Sequence, residues 1–256
     1  MTLNKKSKRR DFFKKIAMTG AGLSTLPLLS KADPKVARKE IPEKTTILFQ
    51  GDSISDAGRN KGNYYPNDGR GLGSGYAFQV IADLLGNNPT KGLKCYNRGI
   101  SGNKVYQLAN RWEDDCLQLK PDVLSILIGV NDFWHTISGG YEGTAKTYNE
   151  DFRSLLDRTK NALPDVKLII GEPFAVAGGT AITSQWDKDF PDYQKFARQI
   201  AKDYDAAFIP YQDVFDKALK TAPVTYWCPD GVHPSIGGAW LMKNAWLMSF
   251  RRYSLM

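Results

Sequence analysis

The sequence predicts an α/β fold in which one parallel β-sheet of about five strands is covered by helices on both faces. Five apolar runs rich in Ile, Leu, Val or Phe recur along the chain, and each has the length of a strand buried on both faces. Stretches with the spacing of amphipathic helices separate these runs. This alternation is typical of a parallel sheet with helical crossovers.

Each element follows from its own stretch of sequence. The predicted strands occupy residues 45–50, 92–97, 122–129, 166–171 and 206–210. Apolar residues at helical spacing predict helices over residues 75–86, 103–119, 143–163, 190–204, 211–220 and 235–252. In open sheets of this kind, ligands bind at the carboxyl ends of the strands. The residues that directly follow each strand are therefore the place to look for a functional site.

The positive charge of the chain is concentrated at its amino terminus. The formal net charge is +8, and residues 1–32 contribute eight basic residues against one acidic residue, Asp11. The remaining chain is almost neutral, which argues against a nucleic-acid partner.

Residues 1–32 are predicted to be an export signal. Arg9 and Arg10 precede a mildly apolar run that is shorter than the roughly 20 residues of a membrane-spanning helix. Ser30 and Ala32 provide the small residues of a cleavage site. We therefore expect a periplasmic or extracellular protein exported by the twin-arginine route, without stable membrane insertion after processing. A basic, disordered arm is the alternative.

Residues 33–44 are predicted to be a linker, and residues 45–256 one domain.

The three cysteines, Cys95, Cys116 and Cys228, cannot all pair within one chain. Their spacing fits neither a zinc site nor a redox pair, so buried, unpaired thiols are expected. One disulfide is the alternative in an oxidising compartment.

Polar and flexible residues stand at the ends of the predicted strands. Ser53 follows the first strand, Gly102 the second and Asn131 the third, and "CPDGVHPS" places Asp230 and His233 before the last helix. A serine hydroxyl becomes a nucleophile when an imidazole takes its proton, and a carboxylate orients that imidazole. Backbone N–H groups and a carboxamide stabilise the oxyanion that forms.

These residues resemble the four blocks of the SGNH hydrolase family, also called GDSL esterases/lipases. The blocks occur in order over about residues 45–250, with Ile54 where the GDSL signature has Leu. The resemblance implies a flavodoxin-like, three-layer α/β/α fold and ester hydrolysis through an acyl-serine, without metal or cofactor. It further implies Ser53 as nucleophile, His233 as base, Asp230 as its orienting group, and Ser53, Gly102 and Asn131 as oxyanion donors.

Several alternatives involve residues close to these blocks. The chain has two histidines, so His135 is the other candidate base; it is otherwise a loop residue bonded to backbone, or a substrate contact. Asp52 and Asp132 resemble the paired carboxylates of a glycosidase, but each is more simply a brace for its own loop. Residues 69–76, "GRGLGSGY", lack the spacing of a nucleotide-binding loop and are expected to form a flexible loop near the site.

The substrate is less sharply defined than the reaction. Predicted substrate contacts beside the blocks are Asp52, Phe133, Trp134, His135 and Trp227. Aromatic rings stack on sugars but also line acyl pockets. Export, a near-neutral domain and the family's range favour deacetylation of a polysaccharide or oligosaccharide. A lysophospholipase, thioesterase or general short-chain esterase is the alternative within enzymes, and a non-catalytic carbohydrate-binding relative the alternative outside them.

Overall fold

Five parallel strands form one sheet in the computed structural model, which describes residues 40–253. The strands are β1 (Thr46–Gly51), β2 (Lys94–Asn97), β3 (Val123–Leu127), β4 (Lys167–Gly171) and β5 (Ala207–Ile209). Their order across the sheet is β2-β1-β3-β4-β5, which is the flavodoxin-like order. All five predicted strands are confirmed. The predicted export signal, residues 1–32, and residues 33–39 of the predicted linker lie outside the described residues.

Helices connect and flank the strands. Within residues 40–253 they are α1 (Ser53–Asp56), α2 (Gly69–Leu72), α3 (Tyr76–Asn87), α4 (Val105–Asn110), α5 (Trp112–Asp115), a 3₁₀ turn (Leu117–Leu119), α6 (Val130–Ser138), α7 (Ala145–Ala162), α8 (Ser184–Asp203), α9 (Tyr211–Ala218), α10 (Val224–Trp227) and α11 (Ile236–Tyr253). None of the helices in this part of the chain is long and apolar enough to cross a membrane.

The helices cover both faces of the sheet. α3 and α11 pack against each other on one face, and α7 packs against α4 and α8 on the other. Two buried indoles, one from α11 and one from α5, donate hydrogen bonds to neighbouring elements. Trp246 of α11 donates to the hydroxyl of Ser125 in β3 at 2.9 Å, and Trp112 of α5 donates to that of Thr159 in α7 at 2.9 Å. The predicted three-layer architecture is confirmed.

Two predicted helices differ from the observed ones. The helix predicted over residues 103–119 is broken at Arg111, because the Arg111 guanidinium turns inward to bind the Arg98 carbonyl oxygen and the Asp115 carboxylate, each at 2.8 Å. The helix predicted from residue 190 begins at Ser184 instead. Trp186 is buried on this earlier turn.

The three cysteines are buried and unpaired, as predicted. Burial raises the pKa of the Cys95 thiol to about 12. The pKa of Cys228 also rises to about 12, chiefly through burial and secondarily through the nearby Asp230 carboxylate. These thiols therefore behave as small apolar side chains in the core.

The register of the sheet brings the segments after β1, β2 and β3 to one edge. Phe49 lies beside Asn97 of β2, and Gly51 lies beside Leu127 of β3. A Cβ atom on Gly51 would collide with the Leu127 carbonyl oxygen, so only glycine fits at this end of β1. The chain then turns directly into Ser53.

Candidate active site

Ser53, His233 and Asp230 form a continuous chain of hydrogen bonds at this edge of the sheet. The Ser53 Oγ atom lies 2.8 Å from His233 Nε2, although the two residues are 180 positions apart. On the other side of the ring, His233 Nδ1 lies 2.6 Å from Asp230 Oδ2. A carboxylate only accepts, so Nδ1 carries the proton and Nε2 is free to accept the Ser53 proton.

Local backbone bonds fix the Asp230 carboxylate. The backbone N–H groups of Val232 and His233 donate to Oδ1 at 2.9 and 2.7 Å. Partial burial alone would raise the pKa of Asp230. The hydrogen bonds from the His233 backbone and ring and from the Val232 backbone outweigh that effect and lower it. Asp230 is therefore an anion at neutral pH, as a residue that stabilises an imidazolium must be.

Ser53 is the first residue of α1, and Asp52 is the N-cap that starts this helix. The Asp52 carboxylate accepts a hydrogen bond from the Ile54 backbone N–H at 3.0 Å. The first backbone N–H groups of a helix have no partner within the helix. The N–H of Ser53 is thus available close to its own hydroxyl.

Gly102 and Asn131 lie beside Ser53 at the ends of the neighbouring segments. Gly102 has a φ of +80°, a conformation that favours glycine. Within residues 40–253 its backbone N–H donates to no protein acceptor. The Asn131 carboxamide donates one N–H to the Asn103 carbonyl oxygen at 3.2 Å, which fixes its orientation and leaves the second N–H available.

Two cavities meet at Ser53 and His233. The first, which we call the Trp134 cavity, has a volume of about 370 Å³, and its other lining residues are Ser101, Gly102, Asn131, Trp134, His135 and Ser138. The second, the Ile236 cleft, has a volume of about 250 Å³, and its other lining residues are Ile54, Ala57, Ser74, Gly75, Tyr76, Pro234, Ser235, Ile236 and Ala239. The nucleophile is therefore open to solvent from two directions.

Among the predicted substrate contacts, Trp134 and His135 line the Trp134 cavity. The centre of the Trp134 ring lies 6.2 Å from that of His233. His135 does not replace His233 as the partner of Ser53, since its Nδ1 atom contacts Lys104 Nζ at 2.9 Å. It is therefore neither the base nor bonded to backbone through its ring.

Three predicted substrate contacts line neither cavity. Asp52 is fully buried, and its carboxylate caps the start of α1 instead of facing a substrate. Phe133 is 2% exposed, because α6, which was not predicted, turns this ring inward against Trp186. Trp227 lies on α10, where its indole donates to the Ala218 carbonyl oxygen at 3.0 Å. Burial therefore contradicts the assignments of Asp52 and Phe133, whereas that of half-buried Trp227 stays a prediction.

Burial excludes the glycosidase alternative, as it excludes Asp52 as a substrate contact. Asp132 is 1% exposed, and its carboxylate accepts a hydrogen bond from the Val105 backbone N–H at 3.1 Å. Burial raises the pKa of both Asp52 and Asp132 to about 7, and the Asp132 charge adds to the shift at Asp52. Two buried carboxyls that brace helix starts cannot reach a glycosidic bond.

Sequence reasoning missed two charged residues beside the site. Lys104 contacts His135, and Asp56 binds Ser101, the residue before Gly102. Residues 69–76, expected as a flexible loop, begin with the short helix α2, and Ser74, Gly75 and Tyr76 then line the Ile236 cleft. Proximity to the named blocks was the available signal for Asp56 and Lys104, but it does not indicate where a side chain points.

The fold and this arrangement match a known family. The family model described as GDSL-like lipase/acylhydrolase matches residues 49–241. The chain belongs to the GDSL-like lipase/acylhydrolase family. Ser53, Gly102, Asn131 and His233, the residues carried over from the family's blocks, lie together in the Trp134 cavity. As a member of this family, the protein is a carboxylic ester hydrolase.

Individual relatives agree with this assignment. An acetylxylan esterase from Geobacillus stearothermophilus is 35% identical over 206 residues, which is 78% of this chain and 91% of the relative. A crystal structure of an acetylxylan esterase from the same organism has a TM-score of 0.71 at 32% identity, covering 82% of this chain and 95% of that one. A GDSL-like lipase family protein from Parabacteroides merdae has a TM-score of 0.81 at 47% identity, covering 83% of this chain and 98% of that one.

Proposed function

We propose that this GDSL-family hydrolase removes acetyl groups from acetylated carbohydrate through an acetyl-Ser53 intermediate. The observation that carries the proposal is the chain of hydrogen bonds from Ser53 through His233 to Asp230, open to solvent at Ser53. The acetylxylan esterase that covers 78% of this chain supports acetyl as the acyl group and a xylan-type carbohydrate as the alcohol.

The reaction follows from the positions of the polar groups. Ser53 Oγ attacks the acetyl carbonyl carbon while its proton passes to His233 Nε2, and the Asp230 carboxylate stabilises the resulting imidazolium. The N–H groups of Ser53, Gly102 and Asn131 stabilise the oxyanion. Collapse breaks the bond to the sugar oxygen, which takes the proton from His233. His233 then takes a proton from water as the water attacks the carbonyl carbon of the acetyl-serine, and it returns a proton to Ser53 Oγ as the bond to serine breaks and acetate leaves.

The two cavities suit the two parts of such a substrate. The Trp134 cavity combines an indole with hydroxyl, amide and imidazole groups, which matches the apolar faces and hydroxyls of a sugar. The Ile236 cleft includes Ile54, Ala57 and Pro234 close to Ser53, and these give the acetyl methyl an apolar wall.

The test measures acetate release from acetylated xylan and compares the hydrolysis of p-nitrophenyl acetate with that of the octanoate ester. Ser53→Ala serves as the blank and should abolish both hydrolysis and labelling by a fluorophosphonate probe. Ser184→Ala, an exposed hydroxyl on α8, is the matched control and should behave like wild type. Octanoate preference without acetate release would replace the carbohydrate substrate by a lipid or thioester. Labelling that survives Ser53→Ala would contradict the mechanism.

We also propose that residues 1–32 direct export through the twin-arginine route to the periplasm or beyond. Arg9-Arg10 and the basic residues around them support this, as does the small residue Ala32 at the expected cleavage position. Replacement of both arginines by lysine should keep the protein in the cytoplasm of a host with that pathway. Mass spectrometry of the exported form should show cleavage near Ala32, and an uncleaved cytoplasmic product in both strains would overturn the proposal.

A further inference from the structure

Lys104 is a buried cation next to the Trp134 cavity. It is 6% exposed, and its Nζ atom lies 2.9 Å from His135 Nδ1. The same ammonium lies 5.7 Å from the ring centre of Tyr106 and 5.1 Å from that of Tyr141. These two rings stack on each other with centroids 5.9 Å apart, so the ammonium is held against an aromatic wall. These contacts fix the position of the Lys104 ammonium.

This contact fixes the tautomer of His135. An ammonium donates hydrogen bonds and accepts none, so His135 Nδ1 must be the acceptor. A neutral imidazole that accepts at one nitrogen carries its proton on the other. His135 therefore presents an Nε2–H, and within residues 40–253 this group has no protein acceptor.

Burial and the Lys104 charge both favour the neutral imidazole of His135. The pKa of His135 is lowered by burial and, in second place, by the Lys104 charge. Lys104 itself faces Asp132 from α6, whose carboxylate opposes the effect of burial on the pKa of Lys104. Ser138 and His233 line the same cavity as His135, and Tyr141 lies against Lys104. The free Nε2–H is thus a stable feature of the site.

The ring edge faces the catalytic groups. His135 lines the Trp134 cavity together with Gly102 and Asn131. A Cβ atom built on Gly102 would lie 3.9 Å from His135 Cε1, the carbon between the two ring nitrogens. Nε2, on the side of that carbon away from Lys104, therefore lies close to the place where the ester is bound.

We propose that His135 Nε2–H donates a hydrogen bond to a hydroxyl oxygen of the carbohydrate next to the acetylated position, and that Lys104 is the positioning residue that fixes this donor. This inference rests on the proposed carbohydrate deacetylation. A sugar ring offers hydroxyl oxygens beside its ester, whereas the p-nitrophenyl group of a simple acetate ester offers none. His135 therefore contributes to the choice of alcohol and not to the chemical step.

Enzyme kinetics test the donor. His135→Phe keeps a planar ring without the N–H, and His135→Gln places an amide N–H near the position of Nε2. The kcat/KM for acetylated xylo-oligosaccharide, divided by that for p-nitrophenyl acetate, should fall about tenfold in His135→Phe and recover in His135→Gln. An unchanged ratio in His135→Phe would overturn the proposal. If neither wild type nor any variant hydrolysed the acetylated xylo-oligosaccharide, the proposed function itself would be contradicted.

Imidazole ¹⁵N NMR tests the positioning role without any substrate. The chain has two histidines, so the two rings are assigned by comparison with His135→Phe. Wild-type His135 should be neutral and protonated at Nε2 at pH 7. Lys104→Met should shift the ring toward the mixed tautomers of a free histidine and raise its pKa, whereas Lys146→Met, which removes an exposed lysine of α7, should not. A wild-type ring protonated at Nδ1 would overturn the assignment.

Discussion

Asp56 accepts hydrogen bonds from both the backbone N–H and the hydroxyl of Ser101, although the two residues are 45 positions apart. Its Oδ2 atom accepts hydrogen bonds from the Ser101 backbone N–H at 2.9 Å and from the Ser101 hydroxyl at 2.8 Å. Lys61 Nζ lies 2.8 Å from the same oxygen. Asp56 ends α1, the helix that begins with Ser53, and Ser101 precedes Gly102. One carboxylate thus ties the nucleophile to an oxyanion donor.

Asp56→Asn should lower kcat on p-nitrophenyl acetate. The amide loses the charge and places a donor where Ser101 and Lys61 also donate, so the loop that carries Gly102 moves. The loss should approach the roughly hundredfold effect of removing one oxyanion donor, with a smaller change in KM. Asp203→Asn, which breaks a surface ion pair with Arg153, is the control and should retain wild-type kcat. A folded Asp56→Asn protein within twofold of wild-type kcat would contradict the clamp.

The order of elements could be predicted because it depends on local patterns. Strands buried on both faces are continuous apolar runs, and amphipathic helices repeat with their own period, so each leaves a signal within a dozen residues. Where the prediction of the helix over residues 103–119 failed, a tertiary contact decided the outcome. Arg111 ends α4 because the Arg98 carbonyl oxygen lies within reach of its guanidinium. That partner is supplied by the tertiary fold.

The site was predictable only to the extent that its residues follow strand ends. Parallel strands carry Ser53, Gly102 and Asn131 to one edge, and the Asp230–His233 pair is a local motif. The direction of a side chain after such a turn depends on the helix that forms there. Phe133 and Trp134 are adjacent in sequence, yet α6 buries the first and directs the second into the cavity. Long-range pairs such as Lys104 with His135 leave no local pattern.

Asn131→Ala should lower kcat on p-nitrophenyl acetate about 10²- to 10³-fold. Its carboxamide acts mainly on charge that develops in the transition state, so KM should change much less. Steady-state kinetics on the variant supply both constants. Asn149→Ala, which removes an amide on α7 that accepts from Arg153, is the control for folding. A rise in KM with unchanged kcat would show that Asn131 binds the ground state instead.

Asp52→Asn should stabilise the protein increasingly as pH rises from 5 to about 7, and its advantage should level off above that pH. The pKa of buried Asp52 is raised to about 7, above its value in the unfolded chain, so the folded state favours the protonated carboxyl. That contribution is present at low pH and is lost as pH rises toward 7. Asparagine keeps the cap on Ile54 without ionising. Its advantage in unfolding free energy should grow by about 1 kcal/mol or more, or about 2–4 °C in Tm.

Thermal unfolding at several pH values measures this effect, and Asp203 provides a control of opposite sign. The pKa of Asp203 is lowered by its hydrogen bond with Arg153 and then by that with Gln199, so its contribution to stability is present at neutral pH and is lost in acid. Asp203→Asn should therefore destabilise slightly at pH 8 and have less effect at low pH. A constant difference between Asp52→Asn and wild type across this range would mean that Asp52 ionises normally.

Trp246→Phe and Ser125→Ala should show coupled effects on stability. The indole of Trp246 is fully buried and donates to the buried Ser125 hydroxyl, so either substitution removes the same hydrogen bond between α11 and β3. In urea unfolding, the double variant should lose less unfolding free energy than the two single variants lose together. The difference should be about 0.5–1.5 kcal/mol. Trp246→Phe combined with Thr159→Ala, on the opposite face, should be additive. Additivity in the first pair would mean that ring packing alone holds α11 on the sheet, and α11 follows directly on the loop that carries His233.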